Sequence, residues 1–582
     1  MGRVDHVVRP LWTASIGSEV ACRDRTCLDA SAEIESCDVP GLRVSPDRCA
    51  LANSRPGGSG WLCSAHPTTG AEGGFRLTGI AFRELSPVSF LERAAAVFAD
   101  RPAVVDGDRR DTYAQLWDRA QRLAGLLAAR GVEPGDRVAV LSPNTHLLLE
   151  AHYGVPLAGA VLVALNTRLA PSEIAYVVEH SGASLVLVDA EFREVLGERS
   201  IPVIDSESYD DLVDAAEPHR VEVTDERSLL SINYTSGTTG RPKGVMYHHR
   251  GAYLQALAMA YHAKLDTSSQ YLWTLPMFHT NGWCFPWAVT AAGGVHHCLR
   301  KVDPGEVWRA IDAEGITHFC AAPTVLTMLA EHPDARTLDH VLRVFAGGAP
   351  PWPALLARMS ELGFDIRHLY GLTETFGPAV VCEWQPEWDS ADPERRAWLI
   401  ARQGIANVVA EPVRVTDPEG NDVPADGRTP GEILLRGNDV MLGYYRDPEA
   451  TENATLDGWF RSGDLGVRHP DGYVELRDRL KDVIISGGEN ITSIEVENAL
   501  TAHPDVLEAA VVAAPHKKWG EVPVAFVSLR ARSSAGEAEL IDFVRARIAA
   551  FKAPKKIAFG ELPKTSTGKL QKNVLRTRAV AD

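Results

Sequence analysis

Between Tyr234 and Gly244 the chain reads YTSGTTGRPKG, which packs four aliphatic hydroxyls, three glycines and two cations into eleven residues. Glycine lets backbone N–H groups come close to a ligand and hydroxyls add donors, so the composition suits wrapping an anion. An apolar run precedes the stretch, and the pattern after it reads as helical. The familiar phosphate loop requires Gly and Lys side by side, followed by Ser or Thr. Here Arg241 and Pro242 separate Gly240 from Lys243, so any phosphate is held in another way. The competing reading of such a cluster is a flexible polar turn.

Three further segments have the same character. In YGLTETFGP, Tyr370 could stack on a base and Glu374 could reach Mg²⁺, which commonly combines one or two carboxylates with phosphate oxygens and water. A Thr-Glu pair also caps helices. In GWFRSGDLG, Asp464 is a single acid flanked by glycines in an expected turn. Its carboxylate suits a ribose diol, although a turn Asp is ordinarily structural. LPKTSTGKLQK presents Lys569 between Gly and Leu near the C-terminus, where a phosphate contact competes with an exposed tail lysine. From Arg545 to Arg578 there are ten Lys or Arg residues against one acid, Glu561, and that local reversal in an acidic chain favours an anionic ligand.

The elements that must carry these residues are legible as periodicity. YAQLWDRAQRLAGLLAARG places Leu116, Ala120, Leu123, Ala124 and Leu127 on one helical face and stops at Gly131. RVAVLS and SLVLVD read as short buried strands with SEIAYVVEHSG as a helix between them. The same rhythm continues through THFCAAPTVLTMLAEHP, LRVFAGGAPPWPALLARMSELG and IRHLYGLTET, and it implies parallel sheet with helices on its faces. After about Pro412 the pattern turns to strands and turns. From Lys481 two hairpin-like strands, LEAAVVAAP and VPVAFVSLR, join helices in a small α+β unit.

The 582 residues, 45% hydrophobic and 23% charged, are those of a globular protein of several structural units. A net charge of −18 argues against a nucleic-acid partner. The longest apolar run, GVPLAGAVLVALN, is too short for a spanning segment, so no integral membrane segment is expected. Nine cysteines match neither a disulfide framework nor a zinc pattern, and the first residues lack a secretory core. A cytoplasmic protein is expected. Residues 1–80, rich in Arg, Ser, Gly and Cys, read as a disordered or non-domain extension.

Taken together, YTSGTTGRPKG, FAGGAP, YGLTET, WFRSGDLG, DRLKDVIISGGENI and PKTSTGK occur in the order found in adenylate-forming acyl-CoA synthetases, and the chain resembles that family from about Leu85 to Arg576. The resemblance implies an α/β fold: a large N-terminal domain of packed mixed and parallel sheets with helices and a β-rich subdomain (81–480), and a small α+β C-terminal lid (481–582) hinged at Lys481. Where many members have Gly before the hinge arginine this chain has Asp478, as coumarate-ligase-like and luciferase-like members do.

The implied reaction is attack by a carboxylate on the α-phosphorus of ATP, giving acyl-adenylate and pyrophosphate, then displacement of AMP by coenzyme A. By the resemblance, Thr235, Ser236, Gly237, Thr238, Thr239, Gly240 and Lys243 wrap the departing phosphates. Gly348, Ala349 and Pro350 line the adenine beside Tyr370 and Gly371; Thr373 contacts the α-phosphate and Glu374 holds Mg²⁺. Asp464 and Arg479 bind the ribose, and Lys569 bridges carboxylate and α-phosphate. For coenzyme A, Gly487 and Gly488 line the pantetheine path, and Trp519, Phe551, Lys552 and Lys555 form the nucleotide platform. For the two aromatics a place in the core is the competing reading. No protein nucleophile is required.

In PMFHTNGWCFPW, His279 resembles the family's gate histidine and Trp283 is expected to narrow the acyl pocket. The expected substrate is a short- or medium-chain fatty acid; the alternatives are an aromatic acid of the benzoate or cinnamate type, or a carrier-protein thiol in place of coenzyme A. A homodimer is compatible with the resemblance. The pairs His248–His249 and His296–His297 are read as structural, because sequence neighbours rarely ligate one metal together.

Overall fold

The computed structural model describes residues 83–235, 241–349, 351–565 and 570–581. The expectation for residues 1–80 lies outside them, as do Ser236, Gly237, Thr238, Thr239, Gly240, Pro350 and Lys569.

The expected helix occupies Tyr113–Ala129, starts on a capping box between Thr112 and Gln115, and buries Leu116, Ala120, Leu123, Ala124 and Leu127. RVAVLS and SLVLVD form the adjacent parallel strands Arg137–Leu141 and Ala183–Val188, with the helix Pro171–Ser181 in the chain between them. They belong to a six-stranded sheet ordered Val203–Asp205, Ala183–Val188, Arg137–Leu141, Val161–Ala164, Leu229–Tyr234, Gly244–His248. Only the last pair is antiparallel.

That last pair corrects the reading of the segment after YTSGTTGRPKG. The chain continues as the strand Gly244–His248, and the helix His249–Ala263 starts only afterwards. Val245 and Tyr247 are fully buried and the strand zips onto Leu229–Tyr234, so cross-strand packing outweighs the local helical pattern. The YTSGTTGRPKG stretch therefore joins two paired antiparallel strands, and a strand rather than a helix follows it directly.

A second sheet of nine strands runs Ile405–Ala406, Gly377–Val381, Phe364–Leu372, Leu342–Ala346, His318–Ala321, Gln270–Leu272, Val295–His297, Pro102–Asp106, Arg109–Thr112. Its centre is parallel, and antiparallel strands close each end. In such sheets ligands bind beyond the carboxyl ends of the parallel strands, and here those ends deliver Thr274, Ala322 and Gly347 to one cavity. The β-rich portion after Pro412 is a five-stranded sheet that includes Trp459–Arg468 and Val474–Arg479. The C-terminal portion has its own five-stranded sheet, built on the antiparallel pair Val506–His516 and Gly520–Leu529, and its own apolar core. Among the described residues no helix is long and apolar enough to cross a membrane.

Candidate active site

A cavity of about 1850 Å³ lies where the nine-stranded sheet, the β-rich sheet and the C-terminal portion meet. Thr235, Lys243, Gly348, Ala349, Tyr370, Gly371, Thr373, Glu374, Asp464, Arg479 and Lys481 all line it, together with His279 and Trp283. So do Thr565 and Leu570, the described residues nearest Lys569 on either side. Residues more than three hundred positions apart thus share one wall.

The hairpin connection is pinned at its base. The Thr235 amide donates to the Lys243 carbonyl at 2.9 Å, and the Lys243 amide donates to Thr235 Oγ1 at 3.2 Å. Outside the loop the Arg241 guanidinium lies 5.4 Å over the Tyr176 ring.

Opposite stands the turn Thr373–Thr375. Tyr247, stacked on Phe376 at 3.9 Å, donates its hydroxyl to the Thr373 carbonyl. Glu374 Oε1 accepts a hydrogen bond from the Tyr444 hydroxyl at 2.8 Å, and Oε2 carries none among the described residues. That leaves a hard oxygen donor on the cavity wall, of the kind Mg²⁺ takes beside phosphate oxygens and water. Gly371 has a packing reason of its own, because a Cβ there would come within 1.9 Å of the Gly377 carbonyl oxygen.

Asp464 does not sit in a turn. It lies inside the strand Trp459–Arg468, 3% exposed, paired in register with Arg479. The glycines around it accommodate a register shift between Leu465 and Gly466 rather than a reversal of the chain. Its Oδ1 is 3.4 Å from the Arg479 guanidinium and its Oδ2 accepts from the Tyr370 hydroxyl at 2.8 Å. Burial, with the Asp464 charge beside it, pushes the Tyr370 phenol well above its ordinary value and keeps it a neutral donor. Acid, phenol and guanidinium form one fixed unit.

The segment around Trp283 is locally strained. Thr280, Asn281, Gly282, Trp283 and Cys284 all have positive φ, between 47° and 64°. Each non-glycine residue so held costs about 1–2 kcal/mol. Asn281 helps to hold the turn, since its amide donates to Asn233 Oδ1 and its Oδ1 accepts from Ser231. The turn drives the indole between two glycines: a Cβ on Gly347 would meet the ring at 2.7 Å and one on Gly377 would meet Trp283 at 3.1 Å. Apolar Val302, Pro323, Val325 and Met328 line the same cavity.

The coenzyme A candidates are not in this cavity. Gly487 and Gly488 form the tight turn between Ile484–Ser486 and Glu489–Ile491, and the Gly487 amide donates to the Trp519 carbonyl at 2.7 Å. Trp519 and Phe551 are 44% and 43% exposed, which excludes a place in the core. Lys552 is ion-paired with Glu495 at 2.7 Å. The histidine pairs are buried, and burial holds all four well below the ordinary imidazole value. The described residues contain no cluster of three or more acid, His or Cys side chains fit for a metal ion. Sequence reasoning missed Tyr444, which stands in MLGYYRD without a hydroxyl or glycine cluster around it. It also missed Ser493, whose partner Asp478 lies on the other side of the proposed hinge, and Lys572, which bonds Ser493 from within the C-terminal portion.

The family model of the AMP-binding enzymes matches residues 91–445, and that of the AMP-binding enzyme C-terminal domain matches residues 495–569. The peroxisomal acetate/butyrate–CoA ligase of Arabidopsis thaliana is 43% identical over 541 residues, covering 86% of this chain and 95% of its own. The 4-hydroxybutyrate–CoA ligase 2 of Metallosphaera sedula is 43% identical over 542 residues, covering 88% and 98%. The solved structure of o-succinylbenzoate–CoA synthetase of Bacillus subtilis with its acyl-adenylate intermediate superposes with a TM-score of 0.75 at 31% identity, covering 84% of this chain and 97% of that one. With the motif order, the two-part fold and the shared cavity, these matches place the chain in the AMP-binding enzyme family, as an ATP-dependent, AMP-forming acid–thiol ligase with coenzyme A as its second substrate.

Proposed function

We propose that this ligase activates a short- or medium-chain carboxylic acid, with the cavity behind Thr235–Lys243 as the adenylation site. The single observation that carries the reading is the convergence, on one cavity, of Lys243, Glu374, Asp464 and the flanks of Lys569, together with Trp283 and several apolar side chains. Both reacting groups are anionic, so the chain must supply positive charge and fixed orientation. Thr235 and Lys243 hold the departing phosphates, and the hairpin base keeps that cradle closed. Asp464 and Arg479 fix the ribose, and Tyr370, whose hydroxyl holds Asp464, stacks on the adenine beside Gly348 and Ala349. Mg²⁺, when bound, neutralises phosphate charge, and Glu374 is the residue to hold it. Lys569, between Thr565 and Leu570, brings its ammonium to the carboxylate and the α-phosphate.

The proposed domain division at residues 480 and 481 is supported by the separate core of the C-terminal portion. Trp519 and Phe551 point to a second lid orientation for thioester formation, because their exposed rings lie away from the cavity in this one. A small acid is favoured because Trp283 occupies the space between Gly347 and Gly377. A reducing compartment is supported by the free thiols Cys284, Cys298, Cys320 and Cys382, and a homodimer remains part of the proposal.

The test is turnover with ¹⁸O-labelled acids across a panel from acetate to octanoate, with benzoate and cinnamate included. Label is expected in AMP, with the highest kcat/KM among the short aliphatic acids. Absence of label in AMP overturns the adenylation site, and a preference for the aromatic acids overturns the substrate class.

A further inference from the structure

We infer that Tyr444 is the positioning residue that holds the Glu374 carboxylate and the Lys243 ammonium as a matched but separate pair at the phosphate site. The inference rests on the proposed adenylation site. The Tyr444 hydroxyl donates to Glu374 Oε1 at 2.8 Å, while Lys243 Nζ lies 4.7 Å from the centroid of the same ring. One phenol therefore engages an acid through its edge and a base through its face, at a distance where the ring quadrupole attracts a cation.

The placement is not left to the side chain alone. The Met441 amide donates to the Glu374 carbonyl at 2.9 Å, so the backbone just before Tyr444 is bonded to the residue whose carboxylate Tyr444 orients. On the other side, the Met246 amide donates to the Gly443 carbonyl at 3.0 Å and the Tyr445 amide to the Gly244 carbonyl at 2.7 Å. Those bonds join the segment to the strand that begins directly after Lys243. The Tyr444 amide itself donates to Thr451 Oγ1 at 2.9 Å. Tyr444 is 8% exposed, so its hydroxyl is enclosed with Glu374 as its acceptor.

The arrangement solves an electrostatic problem. An acid and a base placed close together tend to pair directly, which would spend the carboxylate on the ammonium and leave neither for the ligand. With the hydroxyl bonded to Glu374 and the ring face under Lys243, the acid gives only one oxygen to the phenol and the ammonium meets a π-face that does not remove its charge. Oε2 is left for a metal ion and the ammonium for phosphate oxygens.

The experiment uses the full chain, Mn²⁺ as the metal probe read by electron paramagnetic resonance of the free ion, and an α,β-methylene analogue of ATP. Glu374→Gln is the reference and is expected to lose ternary Mn²⁺ binding. Tyr444→Phe keeps the ring and removes the hydroxyl. It is expected to weaken Mn²⁺ binding about tenfold, the cost of one hydrogen bond to a charged group, while metal-free binding of the analogue stays within about twofold. Tyr444→Leu removes the face as well and is expected to weaken the analogue too. If Tyr444→Leu melts early, the near-isosteric Phe variant carries the test. Wild-type Mn²⁺ binding in Tyr444→Phe, with loss in Glu374→Gln, overturns the inference alone. Undiminished Mn²⁺ binding in Glu374→Gln overturns the site reading on which it rests.

Discussion

Asp478, three residues before the proposed hinge position Lys481, accepts two hydrogen bonds from Ser493, twelve residues beyond it. The Ser493 hydroxyl donates to Oδ1 at 2.9 Å and the Ser493 amide to Oδ2 at 2.5 Å. Lys572 joins from the C-terminal helix, 2.5 Å from Ser493 Oγ and 2.7 Å from the partly buried Glu497 carboxylate. Burial raises both acids above the ordinary carboxylate range, and Lys572 is what opposes that rise most. Arg576, in the same helix, pairs with Asp482. Of these contacts only the Asp478–Ser493 pair crosses the proposed hinge, and we propose that this pair holds the lid in the orientation that brings Thr565 and Leu570 to the cavity, while Lys572 and Arg576 brace the lid internally.

Asp478→Ala is therefore expected to slow adenylation selectively. Losing a charge-assisted pair is worth about 1.5–3 kcal/mol, a factor of about ten to a hundred in ATP–pyrophosphate exchange. Thioester formation from supplied acyl-adenylate, which needs the lid to leave this orientation, is expected to change far less. Equal losses in the two half-reactions would show that Asp478 serves only folding.

Trp283→Ala removes the ring that fills the space between Gly347 and Gly377, while the positive-φ turn that aims it stays. The variant is expected to accept longer acids. Each further methylene buried is worth about 0.8 kcal/mol, about fourfold in kcat/KM. The check is the slope of kcat/KM against chain length, and an unchanged slope would remove Trp283 from the acyl pocket.

Trp519→Ala and Phe551→Ala truncate rings that are 44% and 43% exposed, so each is expected to change stability by no more than about 0.5 kcal/mol. Their expected effect is a rise in KM for coenzyme A of about tenfold or more, the cost of one lost stacking contact of about 1–3 kcal/mol. ATP–pyrophosphate exchange should be untouched. An unaltered KM would place the coenzyme A nucleotide elsewhere.

Acid stability follows from the buried histidines. Burial lowers His152, His248, His249, His297, His318 and His368 to about 4 and His296 to about 3. Below their ordinary value of 6.5 the unfolded chain takes up protons that the folded one refuses, so stability falls with pH between 6.5 and 4. Each histidine contributes about 1.4 kcal/mol per pH unit inside that window. His146, raised to about 9 chiefly by its bonds to Asp106 and Asp210 against burial, acts oppositely: its contribution is complete below 6.5 and fades as pH climbs to 9. Urea midpoints measured from pH 7.5 to 4.5 should drop steeply below 6.5. A flat profile would mean that the histidines are protonated in the folded state.

The motifs alone determined the reaction class, because a cradle for phosphate or a lysine in a Gly/Thr frame is a local arrangement of neighbours in the chain. Periodicity likewise determined the helix Tyr113–Ala129 and the strands Arg137–Leu141 and Ala183–Val188, since an apolar face repeats at the spacing of its own element. Tertiary structure decided what depends on contact between distant segments. The strand Gly244–His248 forms because its partner Leu229–Tyr234 lies alongside, and Asp464 lies in a strand because Arg479 pairs with it. Tyr444 acquires its acid and its base, and Asp478 its serine, only when the sheets close around the cavity. Those pairings span 15 to 201 positions, and nothing in the local composition of either partner announces the other.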